Sequence, residues 1–391
     1  MVVTIVVLLI LAGISLNLVL GQNGIISRAQ DARNQTVEGQ VNTEKAVNAL
    51  TDEMEDLISE NENSGNGGNS GDSQTTVENV VIPEGYYYVG GTKAKGIVIS
   101  DNVADKELDK GKENVRRDLA GNQWVWVPVE TPSSLYTTVD AGVALDGSTG
   151  VKTTKYTNSR IISGYTRGLP GDTSSYREPD ILTDSGYDDT NYATAGFSSL
   201  ANMAETMVSE YEEMIASLEK YKGFYIGRYE LTANGEKTGA TQTDVNWYTS
   251  YKNCTTLASG SKVKTRMIWG LQWDATCNWL AGSGFNITDS TSWGNYKDNT
   301  ATGHRSKQNT GFSESWKANN IYDFAGNCLE WTQEAYGANY GAFRGGYYSY
   351  TGSNSPASDR TYNLPTDTFS AFGSRPTLYL IPWDMEAMGS K

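Results

Sequence analysis

The sequence predicts an α+β chain: an amino-terminal transmembrane and stalk helix, then a domain of short strands, two main helices and long loops. Three observations carry this prediction. The first twenty residues are apolar and uncharged, several short runs of Val, Ile, Tyr and Trp are bounded by Gly and Asn, and two segments repeat apolar residues at three- and four-residue steps. Composition narrows the chemistry. The 391 residues carry 31 Lys+Arg against 46 Asp+Glu, a formal charge of −15, so no nucleic-acid partner is expected. A single histidine, His304, removes the imidazole that Ser-His-Asp, Cys-His and multi-His metal chemistry require and is read as structural. Cys254, Cys277 and Cys328 are odd in number and far apart, which gives neither a CxxC zinc site nor a disulfide framework.

In chain order, MVVTIVVLLILAGISLNLVL (1–20) has the length of a bilayer-spanning helix. It lacks a basic segment before the apolar run and a small-residue cleavage site after it, so it reads as a signal anchor. Helix signals continue through Ala46, Leu50, Met54, Leu57 and Ile58 to about residue 60, a stalk of roughly 80 Å at ~1.5 Å per residue. IVVLLILAGISLNLVLGQNGIISRAQDAR resembles the amino-terminal helix of type IV pilin-like proteins of Gram-positive bacteria, without the processed leader and nearby acidic residue of that family. Two readings stay open, a membrane-tethered protein and a filament subunit. Either places the chain in the cell membrane with its globular domain outside, pilus association being the second option.

Residues 61–76, NENSGNGGNSGDSQTT, have the composition of a flexible linker. The domain is expected at 77–380, followed by a tail at 381–391. VVIPEGYYYVGG, GIVIS, NQWVWVPVE and GFYIGRYEL read as strands. Leu200, Met203, Met207, Tyr211, Met214 and Leu218 mark one amphipathic helix, and Trp269, Trp273, Cys277 and Leu280 the other, both stripes being core. Between Thr131 and Ser199 the Ser, Thr, Asp and Gly content predicts long loops. GTKAKG at 91–96 has P-loop glycine spacing but continues with Ile97 and Val98, which argues against phosphate binding.

The carboxyl-terminal stretch NIYDFAGNCLEWTQEAYGANYGAFRGGYYSYTGSNSPASDRTYNLPTDTFSAFGSRPTLYL, with QWVWVPV, GFYIGRYE and WGLQWDATCNWL, is similar to the formylglycine-generating-enzyme (sulfatase-modifying) domain, a variety of the C-type lectin fold. The resemblance spans roughly 77–380. It implies an oxidase with two copper-binding cysteines, yet the matching positions are Tyr350 and approximately Ser355, which cannot supply the thiolates that Cu(I) selects. No catalytic residue, no copper and no required cofactor are therefore expected. Cys328 and Cys277 read as buried structural thiols. In GNCLEW, Asn327 and Glu330 are candidate Ca²⁺ ligands by resemblance, or equally acceptors for nearby backbone amides. Trp331 is read as core, and Arg375, in GSRP, as an ion-paired anchor of the last strand.

Residues 345–374 read as a binding face. Tyr347, Tyr348, Tyr350, Tyr362, Phe369 and Phe372, with Asp359, Leu364, Asp367 and Ser370, have the composition of a paratope, rigid rings among small polar residues. The alternative is a Tyr-rich loop that covers the core. These thirty residues contain no Lys, Glu, Gln, Met or Trp, the five types that adenine-directed mutation of Asn codons cannot produce. In this the segment looks like the variable region of diversity-generating-retroelement target proteins, which resemblance implies a receptor- or adhesin-like role with an unknown protein or glycan as partner. An oxidase acting on sulfatases and a structural pilin remain the alternatives.

Overall fold

The computed structural model describes residues 75–132, 135–138, 156–158, 165–166, 169–170, 176–177, 191–258, 262–336 and 340–382. Two sheets organise them. The first has six antiparallel strands in the order β6-β11-β5-β3-β2-β1, where β1 is Tyr87–Gly90, β2 Val98–Ser100, β3 Gln123–Pro128, β5 Gly223–Gly227, β6 Val263–Met267 and β11 Pro376–Leu380. The second runs β4 (Tyr176–Arg177), β7 (Leu329–Tyr336), β8 (Tyr340–Arg344) and β9 (Arg360–Asn363), with β10 (Phe372–Ser374) parallel to β7. The architecture is mixed α+β, mostly sheet.

The first sheet is buried on both faces, which explains why QWVWV lacks the polar alternation of a half-exposed strand. Trp124 and Trp126 point with Ile97, Ile99, Tyr225, Leu378 and Leu380 into one apolar cluster. Val125 and Val127 point with Val98, Phe224, Ile226 and Tyr379 into the other. The second cluster is completed by helices α1 (Leu200–Tyr221) and α3 (Gly270–Gly282), the two that the sequence predicts. Ser199 caps α1 by accepting the Asn202 N–H at 3.0 Å. Met203, Met207, Tyr211, Met214 and Leu218 are buried beneath it, each contributing about 1.5–3 kcal/mol by leaving water. Tyr211 meets Trp269 edge to face at 4.9 Å and so ties α1 to the start of α3. An eight-residue helix, α2 (Trp247–Cys254), and a single turn at Tyr192–Ala195 add to the expected pair.

The chain passes from the second sheet to the first at Arg375, between β10 and β11. This arginine is fully buried. Its guanidinium donates to Glu330 on β7 through Nε at 2.9 Å and Nη2 at 2.7 Å, to the Gly227 carbonyl of β5 at 3.0 Å and to the Tyr322 carbonyl at 2.9 Å. The expected anchor of the last strand is thus an ion pair that stitches the two sheets together. Ser374 Oγ sits 3.7 Å from the Cys254 sulfur. Trp331 is buried and stacks on Phe343 at 3.6 Å.

The localisation expected from the sequence is corrected. Among the described residues no helix is long and apolar enough to cross a membrane, and the 1–60 segment read as a membrane anchor, stalk and pilin-like helix lies outside them, as does most of the 61–76 linker.

Candidate ligand-binding face

The proposed face begins with a turn that only glycine makes cheaply. After Arg344, Gly345 and Gly346 adopt φ of 88° and 70°, and a Cβ on Gly346 would lie 2.2 Å from the Ser355 carbonyl oxygen. Gly346→Ala is expected to cost about 2–3 kcal/mol from the left-handed backbone and the clash together. A thermal unfolding temperature within 1 °C of wild type, on the order of 0.5 kcal/mol or less, would show that the turn relaxes instead.

Beyond the turn, the backbone is held while the side chains project. Tyr348 N donates to the Asn327 carbonyl at 3.2 Å, Lys297 N to the Tyr350 carbonyl at 2.9 Å, and Gly352 N to Asp298 Oδ1 at 3.0 Å. The Ala357 carbonyl accepts from Trp273 Nε1 at 2.8 Å, and Ser358 N donates to the Ile287 carbonyl at 3.1 Å. Farther on, the carbonyls of Pro365, Phe369 and Ser370 accept from Trp247 N, Asp244 N and Lys307 Nζ.

A buried charge cluster fixes both ends of the 345–359 loop. Arg344 and Arg360 are register partners on β8 and β9, and both are fully buried. Arg344 Nη2 donates to Asp274 Oδ1 at 2.9 Å, Arg360 Nη2 donates to Asp274 Oδ2, and Arg360 Nε lies 3.2 Å from Glu334 Oε2. Two cations face two carboxylates. Burial works against the Arg360 charge, but Asp274 and Glu334 more than offset it and hold the guanidinium above its ordinary pKa.

The sequence-predicted residues separate by exposure. Tyr350 and Phe369 are 42 % and 43 % exposed; Ser370 is exposed, and Tyr347, Tyr348, Tyr362, Leu364 and Asp367 are half-buried. Phe372 and Asp359 are buried, at 8 % and 2 %. Phe372 is turned inward because its strand pairs with β7 and its ring packs on Phe343 at 4.3 Å, so it is a floor residue and not an exposed contact. Tyr347 links the rings, edge-on to Tyr350 at 4.3 Å and 6.2 Å from Phe369. Tyr362 stacks on Tyr336 at 3.9 Å and lies 5.0 Å from Tyr340.

Three of these rings, Tyr350, Tyr362 and Phe372, line a pocket of about 560 Å³. Leu329, Phe343 and Phe372 form its apolar base, while Tyr350, Tyr362 and the polar side chains of Thr351, Asn354, Thr361 and Asn363 surround it. Lys297 and Asp359 also line it. Both positions that the family resemblance gives to copper-binding cysteines, Tyr350 and Ser355, line this same pocket, and neither fits a copper-thiolate centre. The three cysteines are free and buried elsewhere. Burial pushes the Cys277 thiol up to about 12 and those of Cys254 and Cys328 upward as well, which keeps them protonated.

Asn327 and Glu330 do not fit a Ca²⁺ site. Both Glu330 oxygens accept from Arg375. Asn327 Oδ1 accepts from Asn295 Nδ2 and Gln308 N at 2.9 Å each, while its Nδ2 donates to Glu230 at 2.6 Å. Among the described residues no group of three or more His, Cys, Asp or Glu is arranged to hold a metal ion. His304 holds a turn, with Nδ1 2.8 Å from the Ala301 carbonyl.

Sequence reasoning missed Tyr336, Tyr340 and Lys297. The tyrosines are cross-strand partners on β7 and β8, and their symmetric placement about GAN at 337–339 was a usable signal. Lys297 gives none, since only the fold brings it to the pocket.

No family model and no curated protein matches the chain. Similar solved structures include Treponema denticola variable protein 1, at 16% identity and a TM-score of 0.30, with 41% of this chain and 85% of that one covered. PvdO from Pseudomonas aeruginosa is 17% identical at a TM-score of 0.32, covering 41% and 82%. The U1 variant of the major tropism determinant is 12% identical at 0.32, covering 73% and 69%. TM-scores this low describe a partial overlap and fix neither fold family nor function.

Proposed function

We propose that the domain is a non-catalytic binding module of C-type lectin-like type whose ligand, a protein or a glycan, is held by the aromatic face around residues 347–370. The observation that supports this reading most directly is the pairing of projecting rings with a backbone hydrogen-bonded to the rest of the domain. Tyr350 and Phe369 stand exposed beside a pocket, while the main chain beneath them is bonded to segments 287–298 and 244–247. Aromatic side chains have few rotamers to lose, and a hydrogen-bonded backbone has little left to order on binding.

The test uses the full chain. Probed on protein and glycan arrays, the wild type is expected to retain a ligand, and the Tyr350→Ala/Phe369→Ala variant to lose at least about tenfold in affinity, as contact residues worth more than ~1 kcal/mol do. Its unfolding temperature should fall by only a few degrees, because both rings are already partly in water. Equal retention by the two proteins, or collapse of the fold, would favour a loop that merely covers the core. Copper-dependent oxidation of a cysteine-containing peptide would instead establish the oxidase alternative.

The reading extends to diversification. Replacement at Tyr347, Tyr348, Tyr350, Tyr362, Leu364, Asp367, Phe369 and Ser370 disturbs few backbone bonds, whereas Arg344, Arg360 and Arg375 are each buried in an ion pair. Sequencing the locus in several isolates should find changes confined to the first group. Changes spread evenly over 345–374 would end this extension.

A further inference from the structure

We propose that the face recognises an acidic peptide segment, an aromatic side chain entering the pocket and a neighbouring carboxylate meeting Lys297. This rests on the binding reading above and names the ligand chemistry. The pocket is within the range that takes side-chain to dipeptide groups, and its base of Leu329, Phe343 and Phe372 suits an apolar ring.

The charges decide the rest. Lys297 is exposed, and among the described residues its ammonium makes no ion pair or hydrogen bond, although its backbone is fixed by bonds to Tyr350 and Arg305. The neighbouring acids are less available. Asp298 is occupied at both oxygens by Gly352 N and Thr291 Oγ1. Asp359, on the pocket wall, is 2 % exposed and engaged within the fold. Asp367 does not line the pocket. Lys297 therefore offers an incoming ligand an ammonium that no carboxylate among the described residues pairs, beside an Asp298 carboxylate whose two oxygens already accept hydrogen bonds, although the protein as a whole carries −15. A desolvating aromatic contact beside that cation strengthens the pairing, because the effective dielectric falls where water is displaced.

The experiment titrates the full chain, by NMR, with four small probes: phenylacetate, its neutral isostere 2-phenylacetamide, its cationic counterpart phenethylamine, and glucuronate. Phenylacetate should bind about two- to fivefold tighter than the amide, the scale of a single partly exposed ion pair, and phenethylamine should bind most weakly. The advantage should vanish in Lys297→Met, persist in Lys110→Met, and shrink as salt rises. Tyr350→Ala should weaken all the aromatic probes together. Equal binding of the three aromatic probes, preference for phenethylamine, or no binding of any of them overturns the proposal. Glucuronate binding more tightly than phenylacetate overturns the peptide class in favour of an acidic glycan. Ligand capture lost only in Tyr350→Ala/Phe369→Ala would in each of those cases leave the general binding role standing.

Discussion

Arg360→Met is expected to destabilise the domain by about 3–5 kcal/mol, the scale for removing one partner of a buried ion pair. At roughly 2–4 °C per kcal/mol for domains of this size class, thermal unfolding should fall by about 6–20 °C. The loss is not that of one hydrogen bond. Without Arg360, Asp274 and Glu334 share a single guanidinium, Arg344, whose Nη1 lies 3.7 Å from Glu334. One carboxylate is then buried without adequate compensation. A second substitution tests this cause. Arg360→Met/Glu334→Leu leaves Arg344 and Asp274 as a balanced pair at 2.9 Å, so the double variant should recover most of the stability, with a coupling of at least about 2 kcal/mol. Losses that simply add would mean that shape, and not charge balance, sets the cost. Because Arg344 and Arg360 bracket the 345–359 loop, the single variant should lose ligand capture together with stability.

That cluster also shows where the sequence stops being legible. Strands and helices were readable because apolar spacing is local: QWVWV supplies two opposite core faces, and Met203, Met207, Tyr211 and Met214 one helical stripe. The aromatic segment was readable from composition. Arg344 and Arg360 were not readable as a pair with Asp274 and Glu334, because the partners are separated by as many as 86 positions and meet only when β8 and β9 pass over α3. The same limit governs the site. Phe372 and Tyr350 are alike in composition, yet the parallel pairing of β10 with β7 turns one inward and leaves the other in water. α2 was missed although Asn246 caps it by accepting the Thr249 N–H at 3.0 Å and Trp247 and Tyr251 stack at 5.4 Å. Trp247, Tyr251 and Cys254 do share one face at 4,3 spacing, but eight residues make little more than two turns, too few repeats for the period to stand out from the sequence.

Stability should rise as pH falls from about 8 towards 5, opposite to the behaviour of a domain held by ordinary salt-bridged carboxylates. One source is Glu236, which is fully buried beside Gly227. Burial pushes its carboxyl from 4.5 up to about 8, with Glu330 adding to the shift and Arg375 and the Tyr229 N–H opposing it. Its folded pKa is raised, so its contribution is complete below about 4.5, where both states hold the proton. Between 4.5 and 8 only the unfolded chain releases that proton, and stability declines; above 8 the decline from this group ends. A span of about 3.5 units at ~1.4 kcal/mol each corresponds to roughly 5 kcal/mol. Glu230 and Asp323 act in the same direction, burial raising both and Asp323 reaching about 6. Asp109 acts oppositely, since Arg116 and Lys112 outweigh its burial and hold its carboxyl far below the usual range, but its effect falls below pH 4. Urea unfolding at pH 5, 6, 7 and 8 checks the slope. Glu236→Gln keeps an acceptor for Tyr229 N, which Glu236 Oε1 now receives at 2.6 Å, and removes one titrating proton. It should therefore flatten the profile by up to one proton while Glu230 and Asp323 preserve the remaining decline; superimposable profiles for the two proteins would mean that Glu236 is already ionised in the folded state.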